Sequence, residues 1–139
     1  MNFTITRQNL HKGLAAVSAS IPSKTTLPVL SNILFEASED GVWMSGTDLD
    51  VAVRVKVLAD VKTPGSLTAP GKKLQEITRE LPDQPVEITT RGDQIELICG
   101  ASQFKLNGLP ADEFPTLAEV DFSDGISVTG KDLNALIHH

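Results

Sequence analysis

One unit of sequence occurs twice in this chain and opens a third time, and that repeat limits the possible folds more than any single motif. FTITRQNL (Phe3–Leu10), SLTAPGKKL (Ser66–Leu74) and ISVTGKDL (Ile126–Leu133) each join a short alternating strand to a helix. In each, the first core leucine of the helix follows the last inward strand residue at the same spacing: Ile5 to Leu10, Ala69 to Leu74, Val128 to Leu133. A unit of this size cannot bury its apolar face alone, so its copies must pack on one another. The third copy stops at His139 with its helix barely begun. The expectation is a fragment of a longer protein, with residues 1–122 as a first domain and 123–139 as the truncated start of a second.

Within the first unit, Leu10, Leu14, Val17 and Ile21 form one helical stripe, with Thr6 or Asn9 placed to cap it and Pro22 to end it. Gly13 weakens that helix by about 1 kcal/mol relative to alanine, so packing must hold it. The densest apolar run follows: Val29, Leu30, Ile33, Leu34 and Phe35. A turn at Glu39–Gly41 then leads into a strand whose Val42 and Met44 alternate with Trp43 and Ser45. This pattern predicts an antiparallel hairpin with one buried face. Trp43 falls on the opposite face, either exposed or shielded by a neighbouring strand. From Leu49 to Val57 every second residue is apolar, predicting one long strand, and Asp60–Gly65 reads as a linker.

The second unit repeats the plan. Leu67 and Ala69 form a strand, Leu74, Ile77 and Leu81 a helical stripe ended by Pro82, and three alternating runs follow over 86–90, 94–99 and 103–107. The predicted fold is α+β: two strand–helix–three-strand units, antiparallel sheets, and two helices at about 8–21 and 71–81 side by side on one face.

Composition narrows the function. A chain of 139 residues, 40% hydrophobic and 22% charged, has the balance of one well-cored globular domain. No apolar run reaches the roughly 20 residues of a membrane helix, and MNFTITRQNL lacks the apolar core of a secretory signal. Together with the lone Cys99, which excludes an internal disulfide, this predicts a cytoplasmic protein without membrane contact. A net charge of -6 argues against a polyanionic partner, but the charges are unevenly spread. Residues 1–35 hold Arg7, Lys12 and Lys24 and no acid, and residues 67–81 hold Lys72, Lys73 and Arg79 against Glu76 and Glu80. A phosphate backbone responds to such local potential rather than to the net charge.

Catalytic constellations are missing. His11 is the only histidine before the terminal His138 and His139, which leaves nucleophilic triads nothing to use. APGKK (Ala69–Lys73) lacks the spacing and hydroxyl residue of a phosphate loop. Asp48 and Asp50 in GTDLD could form a metal pair for a hydrolase. No third ligand accompanies them, and a turn stabilised by Asp48 is the simpler reading. No cofactor or metal is expected.

Three segments in order, TLPVLSNILFE (Thr26–Glu36), SGTDLD (Ser45–Asp50) and GLPADEFPTL (Gly108–Leu117), resemble the first domain of the bacterial DNA sliding clamp family, the beta subunit of DNA polymerase III. The resemblance implies a DNA-clamp fold and a non-catalytic processivity factor. Two subunits of three such domains would close head to tail into a ring around duplex DNA, helices inward and sheets outward. By position, Lys24 matches a DNA-backbone contact, and Lys72 and Arg79, with Lys12, match the inner surface. Phe104 and Leu106 match the apolar edge at the subunit junction, with Lys73 beside it. Implied partners are duplex DNA without sequence preference, a second clamp subunit, and DNA polymerase III subunits and a clamp loader, held through domains this chain lacks. A metal-dependent hydrolase using Asp48 and Asp50, and a protein-binding module unconnected with DNA, are the rival readings.

Overall fold

Thr6 decides where the first helix begins. Extended at φ -70° and ψ 151°, it accepts a hydrogen bond from the Asn9 amide at 3.1 Å and starts α1 (Arg7–Ser18), as a capping hydroxyl does. Asn9 uses its own side chain elsewhere, donating to the Leu58 carbonyl at 3.4 Å. The computed structural model describes residues 1–19, 21, 28–49, 51–115 and 127–129. Leu10, Gly13, Leu14 and Val17 are the buried stripe of α1. Gly13 lies against Met44 and Val57, where a side chain would collide with both, so the residue that weakens the helix locally permits its close approach to the sheet.

Strands β1 (Asn2–Ile5), β2 (Asn32–Ser38), β3 (Gly41–Thr47), β4 (Ala52–Val57), β5 (Asp60–Thr63) and β6 (Gly65–Pro70) precede α2 (Gly71–Glu80). After α2 come β7 (Val86–Arg91), β8 (Gln94–Cys99), β9 (Ser102–Asn107) and β10 (Ser127–Thr129). Among the described residues they form two sheets, ordered β5-β1-β7-β8-β9 and β10-β4-β3-β2-β6. Each meander of three therefore takes its fourth strand from the other unit. β1 pairs with β7, Phe3 opposite Ile88, and β6 pairs with β2, Leu67 opposite Phe35. The exchange ties the two repeats into one core. Phe3 and Phe35, one from each sheet, stack with ring centroids 6.4 Å apart.

The predicted hairpin forms with Ser38 opposite Gly41 across Glu39 and Asp40. Gly41 sits at φ 140° against the Val57 carbonyl, which leaves no room for a side chain. Two expectations are corrected. The supposed linker at Asp60–Gly65 contains β5, an edge strand antiparallel to β1 with Phe3 opposite Val61. The long strand predicted from Leu49 begins only at Ala52, since Asp48 and Val51 hydrogen-bond to each other and Leu49 and Val51 are exposed. Ala52, expected on the outer face, is buried.

The helices lie side by side and antiparallel. At one end Arg7 of α1 donates from Nε to the Thr78 carbonyl of α2 at 3.0 Å, a cation placed on the negative end of that helix. Gln8 also reaches Asp83 there, at 2.8 Å. At the other end Ile21, past the end of α1, closes over Gly71 at the start of α2. β10 pairs in parallel with β4, Val128 opposite Val55.

Candidate functional site

Burying Leu10, Leu14 and Val17 on α1, and Leu74 and Thr78 on α2, fixes which residues those helices turn outward. On α1 they are Gln8, His11, Lys12 and Ala15; on α2 they are Lys72, Lys73, Glu76, Arg79 and Glu80. Neither helix has an acidic residue in its first turn. Among the described residues none of Lys12, Lys72, Lys73 or Arg79 has an ion-pair partner. Their charges remain available to an external anion. Lys24 lies outside the described residues.

Among the described residues Glu36, Asp60, Glu87 and Glu96 sit on strands and Glu39, Asp40 and Asp93 on turns. The outward helix faces carry an excess of cations, the described strands are near balance, with Arg54, Lys56, Lys62, Arg91 and Lys105 against Glu36, Asp60, Glu87 and Glu96, and the turns at Glu39, Asp40 and Asp93 are acidic. Such a local excess lets a chain of net charge -6 present a positive local potential.

β9 is the terminal strand of its sheet. Phe104 lies opposite Leu97 and Leu106 opposite Ile95. Both partners are buried, whereas Phe104 and Leu106 are only half covered, because no strand follows β9 among the described residues. An edge with open backbone groups and two partly exposed large apolar side chains is a pairing surface. Lys73 belongs to a different element, α2, and stands exposed there.

Asp48 is used locally. Its Oδ1 accepts from the Val51 amide at 2.8 Å, and its amide donates to the Val51 carbonyl at 3.2 Å. Asp50 lies outside the described residues. Among the described residues no three His, Cys, Asp or Glu side chains converge on a point that could hold a metal ion. Cys99 is fully buried, within 3.5 Å of the Pro82 and Gln84 carbonyls.

Two arrangements escape a reading of sequence alone. Trp43 is half shielded: the Arg54 guanidinium stacks 3.9 Å from its ring centroid, with the Lys56 ammonium at 5.9 Å. Arg54 then reaches Glu36 at 3.8 Å across the ring. Alternation identifies the face of each residue, but only the β2–β3–β4 register brings Glu36, Trp43 and Lys56 into one row. The second is the role of GLPADEF. Thr68 and Leu109 exchange backbone hydrogen bonds at 3.0 and 3.1 Å, the Thr68 hydroxyl donates to the Leu109 carbonyl at 2.9 Å, and Asn32 donates to that hydroxyl at 3.0 Å. Phe114 is buried after a short 3-10 turn at Ala111–Glu113. The segment is a clasp between the two sheets.

A family model described as "DNA polymerase III beta subunit, N-terminal domain" matches residues 1–118. The chain is similar to the beta sliding clamp of Caulobacter vibrioides, 39% identical over 140 residues, covering 99% of this chain and 38% of that protein. Crystal structures of DNA polymerase sliding clamps from Caulobacter crescentus and Bacillus subtilis share the fold at TM-score 0.81, with 39% and 32% identity. They cover 91% and 84% of this chain, and 34% and 33% of those proteins. The chain thus spans about a third of the length of such relatives.

Proposed function

The chain belongs to the DNA polymerase III beta-subunit family, whose N-terminal domain it carries, and we propose that it acts as one arc of a ring around duplex DNA. The observation that carries this reading is the cation set on the paired helices: Lys12, Lys72 and Arg79 are exposed, facing away from the core, and none has an ion-pair partner among the described residues. A ring with helices inward turns those cations toward phosphate. The contact is electrostatic and blind to sequence, because no base-reading element accompanies it. Lys24 joins the same set.

The ring does no chemistry. Its effect is to hold DNA polymerase III at the template, replacing repeated bimolecular capture by a high effective concentration. Residues 1–122 form the first domain, and 123–139 begin the next. The edge of β9, with Phe104 and Leu106, meets the other subunit, and Lys73 lies near that junction. The ring works in the cytoplasm with a clamp loader, and polymerase and loader are held chiefly by domains beyond this chain. A hydrolase using Asp48 and Asp50 has no support, since Asp48 is spent on its own turn.

Duplex binding by the 139-residue chain tests the electrostatic claim. About three phosphate contacts, from Lys24, Lys72 and Arg79, predict a fall of log affinity with log salt at a slope of roughly -2.7, and about -0.9 after Lys72→Ala and Arg79→Ala together. Equal slopes for wild type and the double variant, or sequence-selective binding, would refute it.

A further inference from the structure

His11 stands among the cations of the paired helices. It is exposed on α1, and among the described residues it has neither a hydrogen-bond nor an ion-pair partner. Its place follows from its neighbours. Arg7, one turn earlier, donates to the Thr78 carbonyl of α2, and Ile21 closes over Gly71 at the other end of the pair. Residues four apart on a helix share a flank, so His11 borders the seam between α1 and α2, level with the middle turn of α2. Asn9 marks the opposite flank of α1, reaching the Leu58 carbonyl just past β4. β10, which leads toward the next domain, joins its sheet beyond β4, at the edge away from β6 and α2. The seam therefore lies away from the side on which the chain continues.

The charged groups around His11 are mostly cations. α1 supplies Arg7 and Lys12. On α2 the helical repeat sets Lys72 and Arg79 on the seam side of the exposed face with Glu76 beside them, and Lys73 and Glu80 on the far side. Asp83, past the end of α2, is held by Gln8. α1 also packs on β3 and β4, which turn Met44 and Val57 toward it at Gly13. Arg54 and Lys56 of β4 lie with Trp43 on the other face of that sheet. A polyanion drawn to Lys12, Lys72 and Arg79 thus passes over His11, and a phosphate beside an imidazole favours its charged form.

We infer that His11 is a further phosphate contact of this surface, made by the protonated ring, so that the chain grips duplex DNA more firmly as pH falls. The inference rests on the ring reading above. Histidine is the side chain whose charge ordinarily changes between pH 5 and 8, whereas lysine and arginine keep theirs throughout that range. Each cation that neutralises a phosphate releases counterions, so one more charged contact steepens the salt dependence by a fixed step. Binding draws a proton onto the ring, and the contact it adds is complete at low pH and lost as pH rises.

The test is duplex binding by the 139-residue chain, titrated with salt at pH 5.5 and at pH 8, for wild type, His11→Gln and His11→Lys. His138 and His139 are present in all three, so differences among them report position 11 alone. Expected for the wild type is a slope of log affinity against log salt of roughly -2.7 at pH 8, from three contacts, and about -3.6 at pH 5.5, from four. His11→Gln should show the shallower slope at both pH values, and His11→Lys the steeper slope at both. Equal wild-type slopes at the two pH values, or a pH difference that persists in His11→Gln, would overturn the role of His11 and leave the electrostatic reading standing. Failure of the wild type to bind duplex at either pH would overturn that reading and this inference with it.

Discussion

Asn32 and Thr68 are buried polar residues, and their hydrogen bonds run in series from the Asn32 amide through the Thr68 hydroxyl to the Leu109 carbonyl. Removing the middle member strands the outer two. Thr68→Val should cost about 1–3 kcal/mol in urea unfolding, the penalty for a buried donor left unpaired, whereas Thr68→Ser should recover most of it. At this scale the sequence was partly legible. Thr6, Asp48 and Cys99 act as a cap, a turn brace and a core residue, because each of those roles is decided by near neighbours in the chain. The Asn32–Thr68 pair was not legible, since its members are 36 positions apart and only the β2–β6 pairing joins them. Leu49 and Val51 misled because alternation continues past the point where a strand stops. Nothing in an alternating pattern marks a leucine at positive φ.

Between elements, the decisive feature is the exchange of β1 and β6. Both strands were expected where they stand, as were α2 and all three strands of the second unit, whereas α1, expected to run to Ile21, ends at Ser18. What could not be read was which sheet each opening strand would join, because local patterning specifies faces and not distant partners. β5 was missed for a different reason: Asp60–Thr63 is short, mostly polar and at an edge, so it carries little apolar signal. The exchange makes Phe3 a test of the architecture. It is fully buried on β1 between β5 and β7 and stacks on Phe35 of the other sheet. Phe3→Ala should destabilise the chain by about 3–5 kcal/mol and lower the amide-exchange protection of both sheets together. Loss confined to one sheet would mean that the units are independent.

For the whole molecule, the cations of the helical surface and edge chemistry carry the functional account. The helical surface was legible, because a helical wheel already sets Lys12, Lys72 and Arg79 opposite the buried stripe. The β9 edge was legible too: its apolar residues follow from alternation, and as the last strand of the second unit it was expected to have no later partner, which holds among the described residues. A heterologous junction closes only when both of its surfaces are present, so the 139-residue chain should sediment as a monomer. In the full-length protein Phe104→Ala should weaken the subunit junction by about 2 kcal/mol or more, read as a raised dimer dissociation constant, without loss of folding. The central claim is topological, and the most direct measurement is the dissociation half-life of the loaded full-length clamp on closed circular DNA, compared with the same DNA cut once. The account predicts long retention on the circle and rapid loss by sliding off the cut ends. Equal half-lives on the two would show that the protein grips DNA without encircling it, and would contradict the account.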